Sequence, residues 1–353
     1  MKYRSWELST LKEKLKYYKK LLSNTTDYHE QERLTTIIDS YEEHIEDITT
    51  IPQKKSSLEK RFKLDQEYIK KVEETLKIIL EANELLENNN YPRNLFSINT
   101  SKEQILTTTK SFYNGIGGIF NDIYEDYYKT NAIYINFIPN YDNSQCGNIF
   151  RPRGIQEAFI NIMLFNNPYD IATSIHEHSH AISSSIMEDH VDNDLLGEVD
   201  SIFFELLYTD SLSIKEYTKE QIKNLKEITI GIRNRLFNSI DIKNIIYTKN
   251  IRDIKTITKL TNNKYYLEED EINSIIHSSL SIYIKYALSY LIAIELYYIY
   301  KRCESKALYT LEEIINIDED EELIVLKVLQ ELGIYPGRNF KRFNKEYIKG
   351  TSK

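Results

Sequence analysis

Glycine and proline are scarce in this chain, ten and six among 353 residues. A many-stranded β fold needs a turn former every few residues, so this scarcity argues against sandwiches and barrels and for long helices. Cysteine is scarcer still. Cys146 and Cys303 are the only two and lie far apart, which argues against a disulfide scaffold and suits a reducing compartment. An excess of positive charge is also missing: 54 acidic against 45 basic side chains leave a net charge of −9. Binding to phosphates requires a basic footprint, so nucleic acid is not an expected partner. The N-terminal MKYRSWELSTLKEK has no apolar run behind its basic residues, hence no visible signal peptide, and a cytoplasmic location is the expectation. Long apolar runs are absent too. The most apolar stretch, Leu280–Tyr300, is interrupted by Lys285 and Glu295, and the nine residues between them are too few to span a bilayer. A buried helix is expected there and no membrane span.

What the chain does have is Ile, Leu, Tyr and Phe in quantity, enough for a large core. Leu8, Leu11, Leu15, Tyr18 and Leu22 repeat at helical spacing until Ser23-Asn24. Ile38, Tyr41, Ile45 and Ile48 form a second stripe, ended by Pro52. Ser56 with Glu59 reads as a capping box ahead of a third stripe, Ile69, Val72, Leu76 and Ile79. Short stripes with short connections predict helices packed on one another within the chain rather than a partner-binding coiled coil. The expected organisation is an N-terminal helical lobe over residues 1–92 and a second region over 93–353.

Between Tyr113 and Gly154 the texture changes. Half of all the glycines fall here, and NAIYINFI (131–138) and EAFINIMLF (157–165) have apolar residues on alternating positions, which predicts a small sheet. GIGG (115–118) lacks the spacing and the lysine of a phosphate loop and reads as a turn. Helix resumes at Pro168: Asn167 can cap it, Pro168 suits the first position, and Asp170 complements the dipole. Ile171, Ile175, Ile182 and Ile186 mark its apolar face.

That helix carries TSIHEHSHAISSSIMED (173–189). His176 and His180 are one turn apart and point the same way, so both imidazoles can reach one ion. Glu177 sits a third of a turn round, where its carboxylate can take a proton from metal-bound water. His178 points elsewhere and reads as a surface or outer-layer residue rather than a ligand. A catalytic zinc wants a third protein ligand. GEVDSIFFE (197–205) offers Glu198 as that ligand, with Glu205 two turns further along one face, where it could orient a ligand histidine. Glu188, Asp189, His190, Asp192 and Asp194 compete for the ligand role from what reads as a returning loop.

These residues resemble the oligoendopeptidase F and thimet oligopeptidase family of zinc metallopeptidases. Its members carry a His-Glu-x-Gly-His helix and then a helix of the form Glu-Val-Ala-Ser-x-x-x-Glu; here HEHSH and EVDSIFFE match both glutamates and the serine between them. The resemblance covers about residues 145–300. It implies a mainly α fold with a small β-sheet beside the active-site cleft, and one Zn2+ per chain held by His176, His180 and Glu198. It further implies a peptide substrate, paired as an added strand along 157–165.

The family also uses a downstream histidine followed by tyrosines that face the oxyanion. By resemblance these are His277 and Tyr286, with Tyr283 and Tyr290 on neighbouring faces as further candidates. The chain departs from the family pattern at Ser179 in place of glycine and at Ser183 in place of a frequent extra histidine. Its His277 is followed by SSLSIY instead of a glycine-rich turn. The implied activity is zinc-dependent hydrolysis of peptide bonds, as a general oligopeptidase or as a protease processing one particular peptide or protein. A non-catalytic helical binding protein with a structural metal site is the reading from outside the enzymes.

Overall fold

The structure is a computed structural model, and the residues it describes are 4–49, 58–86, 100–139, 147–152, 155–187, 195–213, 217–251, 253–265, 269–318 and 321–349. In chain order these form α1 (Arg4–Asn24), α2 (Tyr28–Thr49), α3 (Leu58–Ile69), α4 (Glu73–Glu84), α5 (Lys102–Ile116), α6 (Gly118–Lys129), β1 (Ile133–Pro139), β2 (Gly147–Phe150) and β3 (Ala158–Leu164). There follow α7 (Tyr169–Ile186), α8 (Val199–Ser211), α9 (Lys219–Thr248), α10 (Ile254–Tyr265), α11 (Glu269–His277), α12 (Leu280–Tyr300), α13 (Glu304–Ile315), α14 (Glu322–Glu331) and α15 (Phe340–Lys349). Among the described residues the fold is mainly helical with one small sheet, as the scarcity of turn formers predicts. The expected capping residue Ser56 and the acidic loop candidates at 188–194 lie outside the described residues.

The chain divides into two compact units, Met1–Gln53 with Ser97–His190 and Lys54–Phe96 with Val191–Lys353. The division does not run at residue 92: α1 and α2 belong to the first unit, while α3 and α4 belong to the second. The third N-terminal stripe is also split, because a turn at residues 70–72 separates α3 from α4.

In the first unit the strand order is β1-β3-β2, with β3 parallel to β1 and antiparallel to β2. The period-2 alternation of β3 buries both faces. Ala158, Ile160 and Ile162 share one face, which packs with Ala181 of α7, while Phe159 on the other face packs with Tyr41 of α2. Asn136, Asn161 and Asn148 bond side chain to side chain across all three strands, at 3.0 and 2.8 Å. At the GIGG turn, Gly117 stands at φ +71° between α5 and α6, a left-handed conformation that suits glycine.

In the second unit α12 is the central helix, packed by α8, α9 and α13. It is long and apolar enough to cross a membrane by length and composition, yet most of it is buried inside the protein, the environment of a core helix.

Candidate metal centre

α7 starts at Tyr169, one residue later than the sequence places it, with Pro168 at the N-cap position. Asn167 Oδ1 accepts from Tyr169 N at 2.8 Å, and the buried Asp170 carboxylate turns back to accept from Phe165 N at 2.9 Å. Burial, outweighing these bonds, raises the Asp170 pKa. One turn apart on this helix, the His176 and His180 rings have centroids 4.9 Å apart and lie nearly perpendicular.

Tyrosines of α5 and α6 hold the helix from behind. The Tyr113 hydroxyl lies 2.9 Å from both Ile175 O and Ser179 Oγ, and Ser179 Oγ also donates to Ile175 O. Tyr127 donates to Ala181 O at 3.1 Å. Ser179, which stands where the resembling family has glycine, is thus fully buried and hydrogen-bonded.

His178 corrects the sequence reading, which put it on the surface or in an outer layer of the metal site. It is 1% exposed, because α5 and α6 cover the side of α7 that a lone amphipathic helix would show to water. Its Nδ1 donates to Ser174 O at 2.7 Å, which leaves Nε2 to accept from the Tyr128 hydroxyl at 3.1 Å. Burial holds its pKa down to about 4, so it is a neutral core histidine.

Glu177 is buried beneath β2. A Cβ added at Gly147 would lie 2.6 Å from Glu177 Oε1 and 2.8 Å from its Cγ, so any side chain there would have to displace Glu177. The local glycine density marks this stretch in the sequence, but β2 has only four residues, too few to show a period. The expected peptide pairing along 157–165 also needs correction. β3 is the central strand, with β1 on one side and β2 on the other along Phe159–Ile162, and among the described residues no strand pairs with the outer edge of β2, the strand next to Glu177.

Glu198 is the buried N-cap residue of α8, and Ser201 Oγ donates to its Oε2 at 3.3 Å. The serine between the two glutamates therefore steadies the first of them. Glu205, two turns on, is ion-paired with Arg233 of α9, and both are buried. The Arg233 guanidinium lies 5.8 Å from the centre of the Tyr286 ring. Arg233 is a residue that sequence reasoning missed: it lies 28 residues beyond Glu205 in an ordinary-looking helix, and no motif marks it.

His277 is the last residue of α11, and Tyr283 and Tyr286 are half-buried on α12. Tyr283 packs against the cluster of Phe62, Ile242 and Ile276, and burial raises its pKa. Tyr290 corrects another expectation. It is wholly buried among Phe237, Phe340 and Phe343, because the outer helix α15 covers that face of α12, and it serves the core.

One ligand atom from each of His176, His180 and Glu198 lies within 4.8 Å of the other two. Glu198 is buried and His180 half-buried. Two imidazoles and a carboxylate are a donor set suited to a borderline cation such as zinc.

No protein-family model matches the chain, and no curated protein does either. Solved structures do. A Bacillus anthracis protein described as an oligoendopeptidase F aligns over 92% of this chain and 66% of its own, with 12% identity and a TM-score of 0.55. PZ peptidase A, solved with an inhibitor, aligns over 93% of this chain and 69% of its own, with 11% identity and a TM-score of 0.56. A further structure described as an oligoendopeptidase F aligns over 95% and 65%, with 12% identity and a TM-score of 0.55. The chain shares the fold of these proteins and spans about two thirds of their length.

Proposed function

We propose that this chain is a zinc metallopeptidase that hydrolyses peptide bonds. The observation that carries the reading is the convergence of His176, His180 and Glu198, with Glu177 next to His176 in the same helix. The fold shared with the oligoendopeptidase F and PZ peptidase structures supports it.

His176, His180 and Glu198 would hold one zinc ion per chain, with Ser201 fixing the Glu198 carboxylate. Zinc at such a site supplies Lewis acidity, which makes water a nucleophile at neutral pH. Glu177 accepts the proton of the attacking water and passes it to the leaving amine. His277 and Tyr286 donate to the oxyanion that forms on the substrate carbonyl, an effect worth about 3–4 kcal/mol per donor. Glu205 acts through Arg233, which lies against the Tyr286 ring. The substrate is an extended peptide that adds a strand to the outer edge of β2, so its backbone passes beside Glu177.

Metal analysis tests the reading. The purified protein should hold about one zinc per chain, as a site with three protein ligands does. His180→Ala and Glu198→Ala should each lose the metal and chelator-sensitive cleavage together. Full zinc occupancy in both variants would overturn this assignment.

A further inference from the structure

α12 begins without a cap of its own. Ser279 stands at its N-cap position but makes no side-chain capping bond, and its hydroxyl pairs with Ser281 instead. The acceptor comes from α3: Asp65 Oδ1 accepts from Leu280 N at 3.1 Å. The other carboxylate oxygen accepts from Lys243 Nζ of α9 at 2.7 Å and from the Tyr247 hydroxyl. Lys243 in turn reaches the carbonyl of Ile276, at the end of α11, at 3.4 Å.

One ion pair thus meets two helix ends with the sign each favours. The carboxylate sits at the positive end of α12 and the ammonium at the negative end of α11. The link between α11 and α12 is Ser278 and Ser279, directly after His277. Asp65 and Lys243 are 2% and 1% exposed. Burying two charges carries a large desolvation cost, so such a pair contributes little net stability compared with an apolar pair of the same size. What it does supply is directional bonds that fix where α11 ends and where α12 begins.

We propose that Asp65 and Lys243 are positioning residues for the substrate-binding junction, holding α11 and α12 so that His277 and Tyr286 face the reacting carbonyl together. This rests on the peptidase reading, in which those two side chains stabilise the oxyanion. Neither Asp65 nor Lys243 touches substrate; both act through Leu280 N and Ile276 O. α3 and α9 reach the junction from 178 residues apart in sequence.

The test uses the full zinc-loaded chain. Asp65→Ala should lower kcat about tenfold or more, the scale of a small misplacement of a reacting group. KM should stay within about twofold and zinc content unchanged, as expected when only transition-state contacts are lost. Hydrogen exchange at the Leu280 amide should quicken in the same variant. Asp65→Asn/Lys243→Met removes both charges but keeps an acceptor for Leu280 N, so it should restore slow exchange and most of kcat. It also serves as the readout if Asp65→Ala does not fold.

Unchanged kcat and unchanged Leu280 exchange in Asp65→Ala would overturn the proposal. So would a folded double variant that keeps slow exchange yet recovers no turnover. If the wild-type protein cleaves no peptide, the peptidase reading fails, while the exchange measurement still decides whether Asp65 holds the junction.

Discussion

Gly147 lies so close to Glu177 that a Cβ on it would stand 2.6 Å from the carboxylate. The strand backbone and the proposed general base are packed against each other with no room between them. Gly147→Ala should therefore push Glu177 aside and lower kcat by roughly 10- to 100-fold. Zinc content should be unchanged, since the three atoms nearest the added Cβ all belong to Glu177. Steady-state kinetics with metal analysis on the same preparation checks this.

Ser179 replaces the glycine that the resembling family carries, and its hydroxyl bonds within α7 and with Tyr113. Ser179→Gly should destabilise the protein by about 1 kcal/mol, the cost of glycine inside a helix. Tyr113→Phe should cost a further 1–3 kcal/mol or so, because it removes a buried hydroxyl from its acceptors. Cleavage by the serine variant should persist. Urea denaturation of both variants gives the numbers.

Arg233 joins Glu205 to the ring of Tyr286 in a buried setting. Arg233→Met leaves the Glu205 carboxylate buried without that partner and should cost about 3–5 kcal/mol. Peptide turnover should fall as well, through the displaced tyrosine, and Arg233→Lys should restore only part of both. Denaturation midpoints set beside kcat for the two variants check the ordering.

Acid stability should depend on Asp210. Burial pushes its pKa up, but Lys226 at 2.6 Å and Lys301 outweigh that and hold it below the usual 3.8. A folded value below the unfolded one means the carboxylate stabilises fully above the unfolded pKa and progressively less as pH falls through the folded one. Asp210→Asn should be less stable than wild type by about 2 kcal/mol at pH 7, the scale of hydrogen bonds to a charged group. The gap should close as pH falls below 3.8. Thermal melts across that range read the difference.

The grouping of His176, His180 and Glu198 is legible because a metal-ligand pattern would impose a spacing and a residue type at once, and few other pressures produce that combination. The helices were legible from stripes such as Leu11 to Leu22, and β3 from its alternation. Four-residue β2 carries too few positions for a period, and its role depends on the missing side chain of Gly147. His178 was misplaced because a helix buried on several sides has no polar face, and which face the tyrosines of α5 and α6 would cover is a tertiary fact. Asp65 and Lys243 are 178 residues apart, so nothing local marks either of them. Among 28 tyrosines, the burial of Tyr290 against α15 and the half-exposure of Tyr286 look alike in sequence.

In the proposed mechanism Glu177 performs proton transfer at a zinc held by His176, His180 and Glu198. Mass spectrometry of a mixed peptide library, incubated with zinc-loaded wild type and with zinc-loaded Glu177→Gln, tests it most directly. The wild type should show chelator-sensitive cleavage, and the variant should retain its zinc but lose nearly all hydrolysis. Cleavage by the variant at the wild-type rate, or no cleavage by a fully zinc-loaded wild type, would contradict it.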